Sequence, residues 1–267
     1  MSNDELLRVW VVGRGRVGRG LVAGLALAGD PSLTVSLIGA RRMPRQLDAD
    51  VLVLAVPDDT IELVAAQVLE RMPPGRSPVL LHCAGARGTE AFGTLANEFP
   101  AAAFGAMHPL VSFAHPKRPP PLEGCAFAVA GQPRARAVAE RIAAACGAES
   151  LGRGPVGVHG PAYHAVAAMV ANGAAGLAFV GVGVLRSLGL GKRASERALG
   201  SLLGTVAHNV QTLGVPNALT GPVMRGDRKT VTEHRRALGR GSDPRRAYDA
   251  LVPVIERCAA ALQRTRK

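Results

Sequence analysis

Short apolar runs alternate with segments of helical periodicity through the first half of this chain. The apolar runs predict β-strands over residues 8–12, 33–38, 50–57, 78–83, 102–107 and 125–130. The segments with helical periodicity predict helices over residues 17–28, 61–72, 89–99 and 133–146. The run DVLVLAVP at residues 50–57 is apolar almost throughout, which is typical of a parallel strand buried on both faces. Strands that alternate with helices in this way predict a doubly wound α/β domain.

The second half of the chain contains no segment with a clear strand pattern. Its periodicity predicts helices over residues 163–188, 194–213, 229–238 and 244–264. A stretch rich in glycine and proline at residues 152–160 separates the two halves and predicts a linker. We therefore expect an α/β domain at residues 1–152 and an all-α domain at residues 153–267.

One predicted helix is apolar on every side. The segment from Ala165 to Leu185 is uncharged and long enough to span a lipid bilayer. We favour a buried helix, because Asn172 lies in the middle of the segment and its glycines suit close packing between helices. Such a helix must be covered by neighbouring helices or by a second subunit. The pattern therefore predicts a homodimer formed through the C-terminal helices, and no membrane insertion.

Residues 13–18 carry the spacing G-x-G-x-x-G between the first predicted strand and the first predicted helix. In that position Gly13 permits a tight turn, Gly15 lets a pyrophosphate approach the backbone, and Gly18 lets the helix pack closely on the sheet. The amides at the start of the helix, at Arg16 and Val17, then face the negative charge. The context indicates a Rossmann dinucleotide-binding domain, and a glycine-rich turn without a ligand is the alternative.

The end of the second predicted strand indicates which nucleotide is bound. NAD-binding units carry an acidic residue about 20 residues past the glycine motif. This chain has Arg41 and Arg42 there instead. Because an arginine fork can pair with a 2′-phosphate, we predict NADP(H) as the cofactor. The alternative is a solvated basic turn in an arginine-rich protein.

Ligands of open α/β sheets bind outside the carboxyl ends of the strands, which extends the predicted cofactor site. The third predicted strand ends at Val56 and Pro57, and Asp58 follows it. The carboxylate of Asp58 either contacts the cofactor or caps the next helix, and Asp59 is the other candidate for that cap. The fourth predicted strand runs into a turn that contains Ala84 and Gly85. We expect all of these residues to contact the cofactor.

Composition narrows the class of protein. The net charge of +12 suggests a nucleic-acid partner, but lysine supplies only four of the 32 basic residues and no nucleic-acid-binding motif is present. We therefore expect no specific nucleic-acid partner. The four cysteines lie far apart, which indicates reduced thiols and no metal site. The N-terminal sequence MSNDELLR lacks the apolar segment of a signal peptide, so we expect a cytoplasmic protein.

Several motifs beyond the glycine turn carry a resemblance. They are a strand that ends VPDD, a loop GAMHPLVSF, a helix that opens YHAVAAMVAN and a loop LTGPVMRGD. Together they resemble the Rossmann-like proteins whose C-terminal half is the domain of unknown function 2520, over essentially the whole chain. That family is similar in layout to ketopantoate reductase, pyrroline-5-carboxylate reductase, prephenate dehydrogenase and the 3-hydroxyacid dehydrogenases. The resemblance implies an NADP-dependent reductase or dehydrogenase with a 6-phosphogluconate dehydrogenase-like C-terminal domain, usually a dimer.

One position departs from the pattern of these relatives. Ketopantoate reductases and 3-hydroxyacid dehydrogenases carry a lysine four residues before an asparagine on the first long helix, where the lysine serves as acid or base. In this chain Asn172 matches the asparagine, but Ala168 stands where the lysine would be. If hydride transfer takes place, another group must supply the proton.

His164 and His108 are the candidate acid–base residues, because histidine titrates near neutrality. His164 precedes Asn172 by about two helical turns, so both side chains can line one broad helix face roughly 12 Å apart. His108 follows the carboxyl end of a predicted strand, where it can reach a nicotinamide or a substrate. The alternative for each histidine is a substrate-orienting or structural hydrogen bond.

A polar loop between two predicted helices supplies the candidate substrate-binding residues Thr220, Arg225 and Asp227. Arg225 can bind a carboxylate through its guanidinium fork, and the alternative is an ion pair with Asp227 that only orders the loop. Ser112, close to His108 in sequence, and Asn209 on a predicted helix are further candidates.

The sequence therefore predicts an NADP(H)-dependent oxidoreductase that reduces a small carbonyl compound, such as a ketopantoate-like 2-oxo acid, or a pyrroline-like imine. The substrate is expected in the cleft between the domains, where Asn172 and Arg225 position it and one of the two histidines supplies a proton. The alternative is a protein that binds NADP(H) without turnover, as a sensor, which Ala168 favours.

Overall fold

The computed structural model describes residues 6–151 and 159–265 of the chain. The chain divides into two compact units, Met1–Ala168 and Met169–Lys267. The boundary predicted between residues 152 and 153 lies outside the described residues and stays a prediction.

A seven-stranded sheet forms the centre of the first unit within the described part of the chain. Its strands are β1 (Leu7–Val12), β2 (Leu33–Ile38), β3 (Val51–Leu54), β4 (Val79–His82), β5 (Ala103–Pro109), β6 (Ala126–Gly131) and β7 (Glu149–Leu151). The order is β2-β1-β3-β4-β5-β6-β7, and neighbouring strands are parallel except for β5 and β6. Both β3 and β4 are buried along their whole length, as their apolar runs predict. The edge strand β7 is missing from the sequence prediction because its three residues carry no apolar run.

Helices cover both faces of the sheet, which confirms the doubly wound α/β prediction. One face carries α1 (Arg16–Ala28) and α4 (Pro133–Ala145), and the other carries α2 (Ile61–Leu69) and the short α3 (Leu95–Glu98). The chain passes from β1 to β2 on one side and then crosses back over β1 to β3. The carboxyl ends of β1 and β3 therefore form a topological switch point, where ligands of such sheets bind.

The helix predicted over residues 89–99 is interrupted. A 3₁₀ turn at Thr89–Phe92 is separated from α3 by Gly93, whose φ of +57° lies in the left-handed region. A Cβ atom on Gly93 would lie 1.8 Å from Oε1 of Glu62 on α2. Because this left-handed conformation favours glycine and does not continue a helix, the helical pattern breaks at Gly93.

Two glycines on α1 allow a loop to pack directly on that helix. A Cβ atom on Gly20 would lie 2.2 Å from Cε1 of Phe113, and one on Gly24 would lie 2.2 Å from Cδ1 of Leu122. Phe113 and Leu122 both come from the segment between β5 and β6, and Leu122 is fully buried. The loop thereby fixes the helix that follows the glycine motif.

The second unit is helical, as predicted. It contains most of α5 (Pro161–Ser187), together with α6 (Lys192–Leu213), α7 (Arg228–Ala237) and α8 (Asp243–Thr265). The carboxylate of Asp249 on α8 pairs with Arg235 at 2.8 Å and with Arg245 at 2.5 Å. Because Arg235 lies on α7, this ion pair joins the two helices.

The expectation that α5 is buried is wrong for the single chain. No described residue of α5 is buried, and the side chains of Met169 and Phe179 are 67% and 80% exposed. The helix is long and apolar enough to cross a membrane by length and composition, and no residue of its most apolar window is fully buried. One helix of this kind is weak evidence for a membrane span. The single chain therefore leaves much of the apolar surface of α5 exposed.

Candidate functional site

The glycine motif lies at the switch point between β1 and β3. Gly13 has a φ of +126°, and a Cβ atom on it would lie 2.2 Å from the carbonyl oxygen of Ala55, directly after β3. A Cβ atom on Gly18 would lie 1.9 Å from the carbonyl oxygen of Gly13. At both positions the backbone comes too close for a residue larger than glycine. Gly13 therefore forms the tight turn, and Gly18 the close helix packing, that the sequence predicts.

Gly15 has a different surrounding. A Cβ atom on it would meet nothing within 4 Å, although it is the N-cap of α1. No side chain caps the helix, so the first amides of α1, at Arg16 and Val17, have no side-chain acceptor in the described part of the chain. Free helix-start amides beside open space form a site for a phosphate group, which fits the diphosphate of a dinucleotide.

The basic turn after β2 lies beside a cavity of about 610 Å³. The amide of Arg42 donates to the carbonyl oxygen of Gly39 at 3.0 Å, which closes the turn and leaves Arg41 and Arg42 exposed. Val56 and Pro57, from the segment after β3, line the same cavity. The structure therefore brings together four of the residues predicted to bind the cofactor. Arg71 also lines this cavity and was not predicted, because a lone arginine after a helix carries no signal.

Asp58 does not cap the following helix. It begins a 3₁₀ turn at Asp58–Thr60, and neither this turn nor α2 has a side-chain cap. The capping alternative for Asp58 and Asp59 is therefore wrong. The carboxylate of Asp58 instead acts on two histidines, because its charge raises the pKa values of His108 and His82 against the stronger effect of burial.

His108 lies at the carboxyl end of β5, where it is half-buried. Its Nδ1 atom lies 2.9 Å from the hydroxyl of Tyr163 on α5. Burial, and then the neighbouring His164, lower the pKa of His108 to about 4. The imidazole is therefore neutral at physiological pH, because burial disfavours the charged form.

The second histidine candidate meets the first at a glycine. The rings of His108 and His164 are perpendicular, with their centroids 5.8 Å apart. A Cβ atom on Gly85 would lie 2.9 Å from Nε2 of His108 and 3.0 Å from Cδ2 of His164. The carbonyl oxygen of Gly85 also accepts a hydrogen bond of 3.1 Å from the amide of Gly160, just before α5. Gly85 therefore allows the strand end and the helix start to converge.

His82 is a site residue that sequence reasoning missed. It is fully buried at the end of β4. Its Nε2 atom donates to the carbonyl oxygen of Gly88 at 2.8 Å, and its Nδ1 atom accepts from the amide of Ala84 at 3.2 Å. These two bonds fix the loop that holds Gly85. The available signal was a polar residue at the end of the apolar run PVLLHC, because a buried histidine must find partners.

The remaining candidates lie away from this cluster in the sequence. Asn172 is exposed on the part of α5 that belongs to the second unit, and Thr220 is exposed in the loop before α7. Ser112 is exposed in the loop after β5, and Asn209 is half-exposed on α6. The structure shows no hydrogen bond of these side chains within the described residues, so their predicted roles stay predictions.

Arg225 and Asp227 line a cavity of about 530 Å³ in the second unit. The carboxylate of Asp227 caps α7, accepting from the amide and hydroxyl of Thr230 at 3.0 and 2.7 Å. These bonds, with a smaller effect from Arg225, lower the pKa of Asp227. Arg225 is exposed, so its guanidinium is accessible to a ligand.

Two of the cysteines lie where burial suppresses the thiolate form. Burial raises the pKa of Cys83 to about 12 and that of Cys146 to about 11, so both remain protonated at neutral pH. Within residues 6–151 and 159–265, no group of three or more histidine, cysteine or acidic side chains could hold a metal ion.

Comparison with known proteins supports the domain predicted from the motifs. Residues 125–254 match the family described as domain of unknown function 2520 (DUF2520). This match runs from the start of β6 into α8 and confirms the resemblance over that region. No curated protein matches the sequence significantly.

Solved structures share the fold over nearly the whole chain. Protein TM1727 from Thermotoga maritima is 24% identical, with a TM-score of 0.67 over 96% of this chain and 99% of that one. Pyrroline carboxylate reductase from Plasmodium falciparum, solved with NADP bound, is 12% identical, with a TM-score of 0.56 over 96% and 99%. Imine reductase from a Pseudomonas species is 16% identical, with a TM-score of 0.56 over 96% and 94%. At these identities the likeness establishes a fold shared with NADP-dependent reductases.

Proposed function

We propose that the protein is an NADP(H)-dependent reductase of a small carbonyl compound, such as a 2-oxo acid of the ketopantoate type, or of a small imine. The observation that carries the proposal is the meeting of His108 and His164 at Gly85. This cluster lies at the carboxyl ends of β4 and β5, in the same sheet whose switch point carries the glycine motif. In enzymes that use a dinucleotide cofactor, the reacting groups lie outside the carboxyl ends of the strands. The polar groups of this cluster have the same position in the sheet.

The residues around the switch point fit NADP(H). The uncapped start of α1 suits the diphosphate, and the open space at Gly15 lets it approach. Arg41 and Arg42 supply the positive charge that a 2′-phosphate needs beside a cavity of sufficient size. When bound, NADPH supplies the hydride for reduction.

The two histidines have different roles in this proposal. His108 is neutral at physiological pH, so it contributes a hydrogen bond to the substrate and not a stored proton. His164 is exposed, so it can contact both a bound substrate and the water that supplies the proton. Asn172 and Arg225 position the substrate, Arg225 through a carboxylate, with Thr220, Asp227 and Ser112 as further contacts.

A sensor that binds NADP(H) without turnover is the second candidate function. The observation that favours it is Ala168, which stands where related families carry a catalytic lysine. In the sensor, the histidine cluster would only tie the loop after β4 to the start of α5.

The exposed apolar surface of α5 supports a homodimer as the working form. Isolated apolar side chains on a surface are common, but Met169, Val170 and Phe179 are all more than three-fifths exposed on one helix. We therefore propose that a second copy of the chain covers this helix.

Calorimetric titration with NADPH and with NADH tests the cofactor site. We expect micromolar binding of NADPH, much weaker binding of NADH, and loss of this preference in the variant Arg41→Ala/Arg42→Ala. The control Arg45→Ala/Arg118→Ala removes two exposed arginines that do not line the cavity, and it should keep the preference. If neither nucleotide binds the wild-type protein, the reductase and the sensor are both wrong.

Turnover separates the two functions. NADPH oxidation is followed by absorbance with a panel of 2-oxo acids and cyclic imines. Oxidation that depends on the substrate and is reduced in His108→Gln supports the reductase. Tight NADPH binding with no oxidation across the panel supports the sensor.

A further inference from the structure

We propose that Tyr163 fixes the tautomer of His108, so that the site presents an N–H donor and selects a carbonyl oxygen over a protonated imine. Tyr163 is then a positioning residue, because it acts on the substrate through His108. The statement about the substrate rests on the proposed reductase function. The statement about the tautomer does not rest on that function, and a separate experiment tests it.

The contact between Tyr163 and His108 is a directed one. The hydroxyl of Tyr163 lies 2.9 Å from Nδ1 of His108, and the two rings are perpendicular with centroids 5.6 Å apart. Nδ1 is therefore engaged before any ligand arrives. A neutral imidazole carries one proton, so the role of Nδ1 decides whether Nε2 is a donor or an acceptor.

The hydroxyl of Tyr163 is the donor in this hydrogen bond. Burial raises the pKa of Tyr163, so the hydroxyl keeps its proton at neutral pH. In the described part of the chain it makes no other hydrogen bond. If Nδ1 of His108 donated instead, the weakly basic phenol oxygen would have to accept in place of the more basic imidazole nitrogen, and the hydroxyl hydrogen would have no acceptor among the described residues. Nδ1 therefore accepts, and the proton of the imidazole lies on Nε2.

Nε2 of His108 points toward the end of β4. A Cβ atom on Gly85 would lie 2.9 Å from Nε2, and a bulkier residue would cover it. Nε2 has no hydrogen-bond partner among residues 6–151 and 159–265, and it is not sealed from solvent. The structure thus leaves a free N–H donor at the edge of the sheet where the cofactor is proposed to bind.

A fixed N–H donor favours one kind of substrate. A carbonyl oxygen accepts a hydrogen bond, and this bond strengthens as hydride addition to the carbon places negative charge on the oxygen. When bound, NADPH would supply the hydride that forms the new C–H bond, and the oxygen of the substrate would take its proton from water. His108 keeps its own proton throughout. A protonated imine is itself a donor at nitrogen and has no acceptor at Nε2.

Nuclear magnetic resonance tests the tautomer without reference to activity. Two-bond ¹H–¹⁵N correlations of the imidazole distinguish the two neutral tautomers, and His108→Gln assigns the signal. In the full chain we expect His108 in the Nε2–H form, and a mixture of both forms in Tyr163→Phe. Detection of the Nδ1–H form in the wild type, or an unchanged tautomer in Tyr163→Phe, would overturn the proposal.

The chain offers a matched control. Nδ1 of His234 lies 3.0 Å from the hydroxyl of Tyr248, with perpendicular rings 5.7 Å apart, between α7 and α8. Tyr248→Phe removes the same kind of bond there, so it should leave the His108 signal unchanged. A change of the His108 tautomer in Tyr248→Phe would mean that Tyr163 is not its specific cause.

Turnover tests the substrate class. With NADPH, we expect oxidation in the presence of 2-oxo acids and none with cyclic imines under conditions where the imine is protonated. Tyr163→Phe should lower kcat for the 2-oxo acid by about tenfold, the scale of one hydrogen bond, with little change in KM. Faster reduction of the imine would overturn the selectivity. If the protein turns over neither substrate, the proposed function is wrong. The nuclear magnetic resonance experiment alone then decides whether the proposed tautomer is correct.

Discussion

The carbonyl oxygen of Ala55 occupies the space where Gly13 would carry a side chain, 2.2 Å from the position of a Cβ atom. Gly13 closes this contact with a φ of +126°. Gly15, two residues further on, has open space instead. The first glycine is therefore needed by the fold, whereas the second leaves room for the proposed diphosphate, and substitutions can separate the two roles.

Gly13→Ala should destabilise the protein, because the methyl group meets backbone and the conformation is strained. We expect a loss of about 2–4 kcal/mol in the free energy of unfolding. Gly15→Ala should leave the unfolding free energy nearly unchanged and weaken NADPH binding at least tenfold. Thermal unfolding and calorimetric titration of both variants check this. Unchanged NADPH affinity in Gly15→Ala would contradict the proposed diphosphate site.

His82→Ala should also destabilise the protein, since it leaves the carbonyl of Gly88 and the amide of Ala84 without their partners. Loss of two buried hydrogen bonds predicts a decrease of about 3 kcal/mol in the free energy of unfolding. Chemical denaturation measures it. His115→Ala, at an exposed histidine, is the control and should stay within about 0.5 kcal/mol. Equal effects of the two variants would argue against a structural role of His82.

Stability should fall as the solution becomes acidic. Burial lowers the pKa of His108 to about 4 and also lowers that of His82, whereas an unfolded histidine titrates near about 6.5. Between about pH 6.5 and 4 the unfolded chain therefore binds more protons, so stability is complete above this range and is lost as pH falls through it. For His108, the nearby His164 and His82 act in the same direction and Asp58 opposes them.

The variant His108→Gln isolates one part of this dependence. It should show a shallower decrease of the unfolding free energy between pH 6.5 and pH 4 than the wild type, measured by denaturation at several pH values. Parallel curves for the two proteins would show that His108 titrates normally.

The apolar face of α5 should hold two chains together. Phe179→Asp places a charge on a side chain that is 80% exposed in the single chain, and it should shift the protein from dimer to monomer in sedimentation experiments. Leu27→Asp is the matched control, because Leu27 is 81% exposed on α1. A wild-type protein that is monomeric at micromolar concentration would contradict the dimer directly.

Local patterns predicted most of the fold. The buried strands β3 and β4 and the helix α1 follow from continuous apolar runs and from the glycine spacing, whose meaning is set within a few residues. The broken helix at Gly93 did not follow, because a single glycine in a helical pattern does not by itself reveal the left-handed conformation that it takes in the folded chain. The sequence pattern also predicted that α5 is apolar, but the pattern could not show how little of this helix the single chain buries.

The candidate site also contains some residues that the sequence predicted and others that it did not. The basic turn at Arg41 and Arg42 could be predicted because its place in a βαβ unit fixes its position. The partnership of His108 with Tyr163 could not, since 55 residues separate them and only the folded chain brings them together. His82 was overlooked for a similar reason, because its partners are backbone groups that carry no sequence signal.

Mutations in the turn at residues 39–42 and mutations near the glycine motif should have different effects on the stability of the fold. The arginines of the turn are exposed and belong to neither hydrophobic core, whereas α1 is tightly held through Gly20 and Gly24. Under the proposed function, changes at Arg41 or Arg42 would therefore alter nucleotide choice at almost no cost in stability. The proposed preference for one nicotinamide cofactor could then be exchanged for the other at this turn, while the helix start proposed for the diphosphate stays untouched.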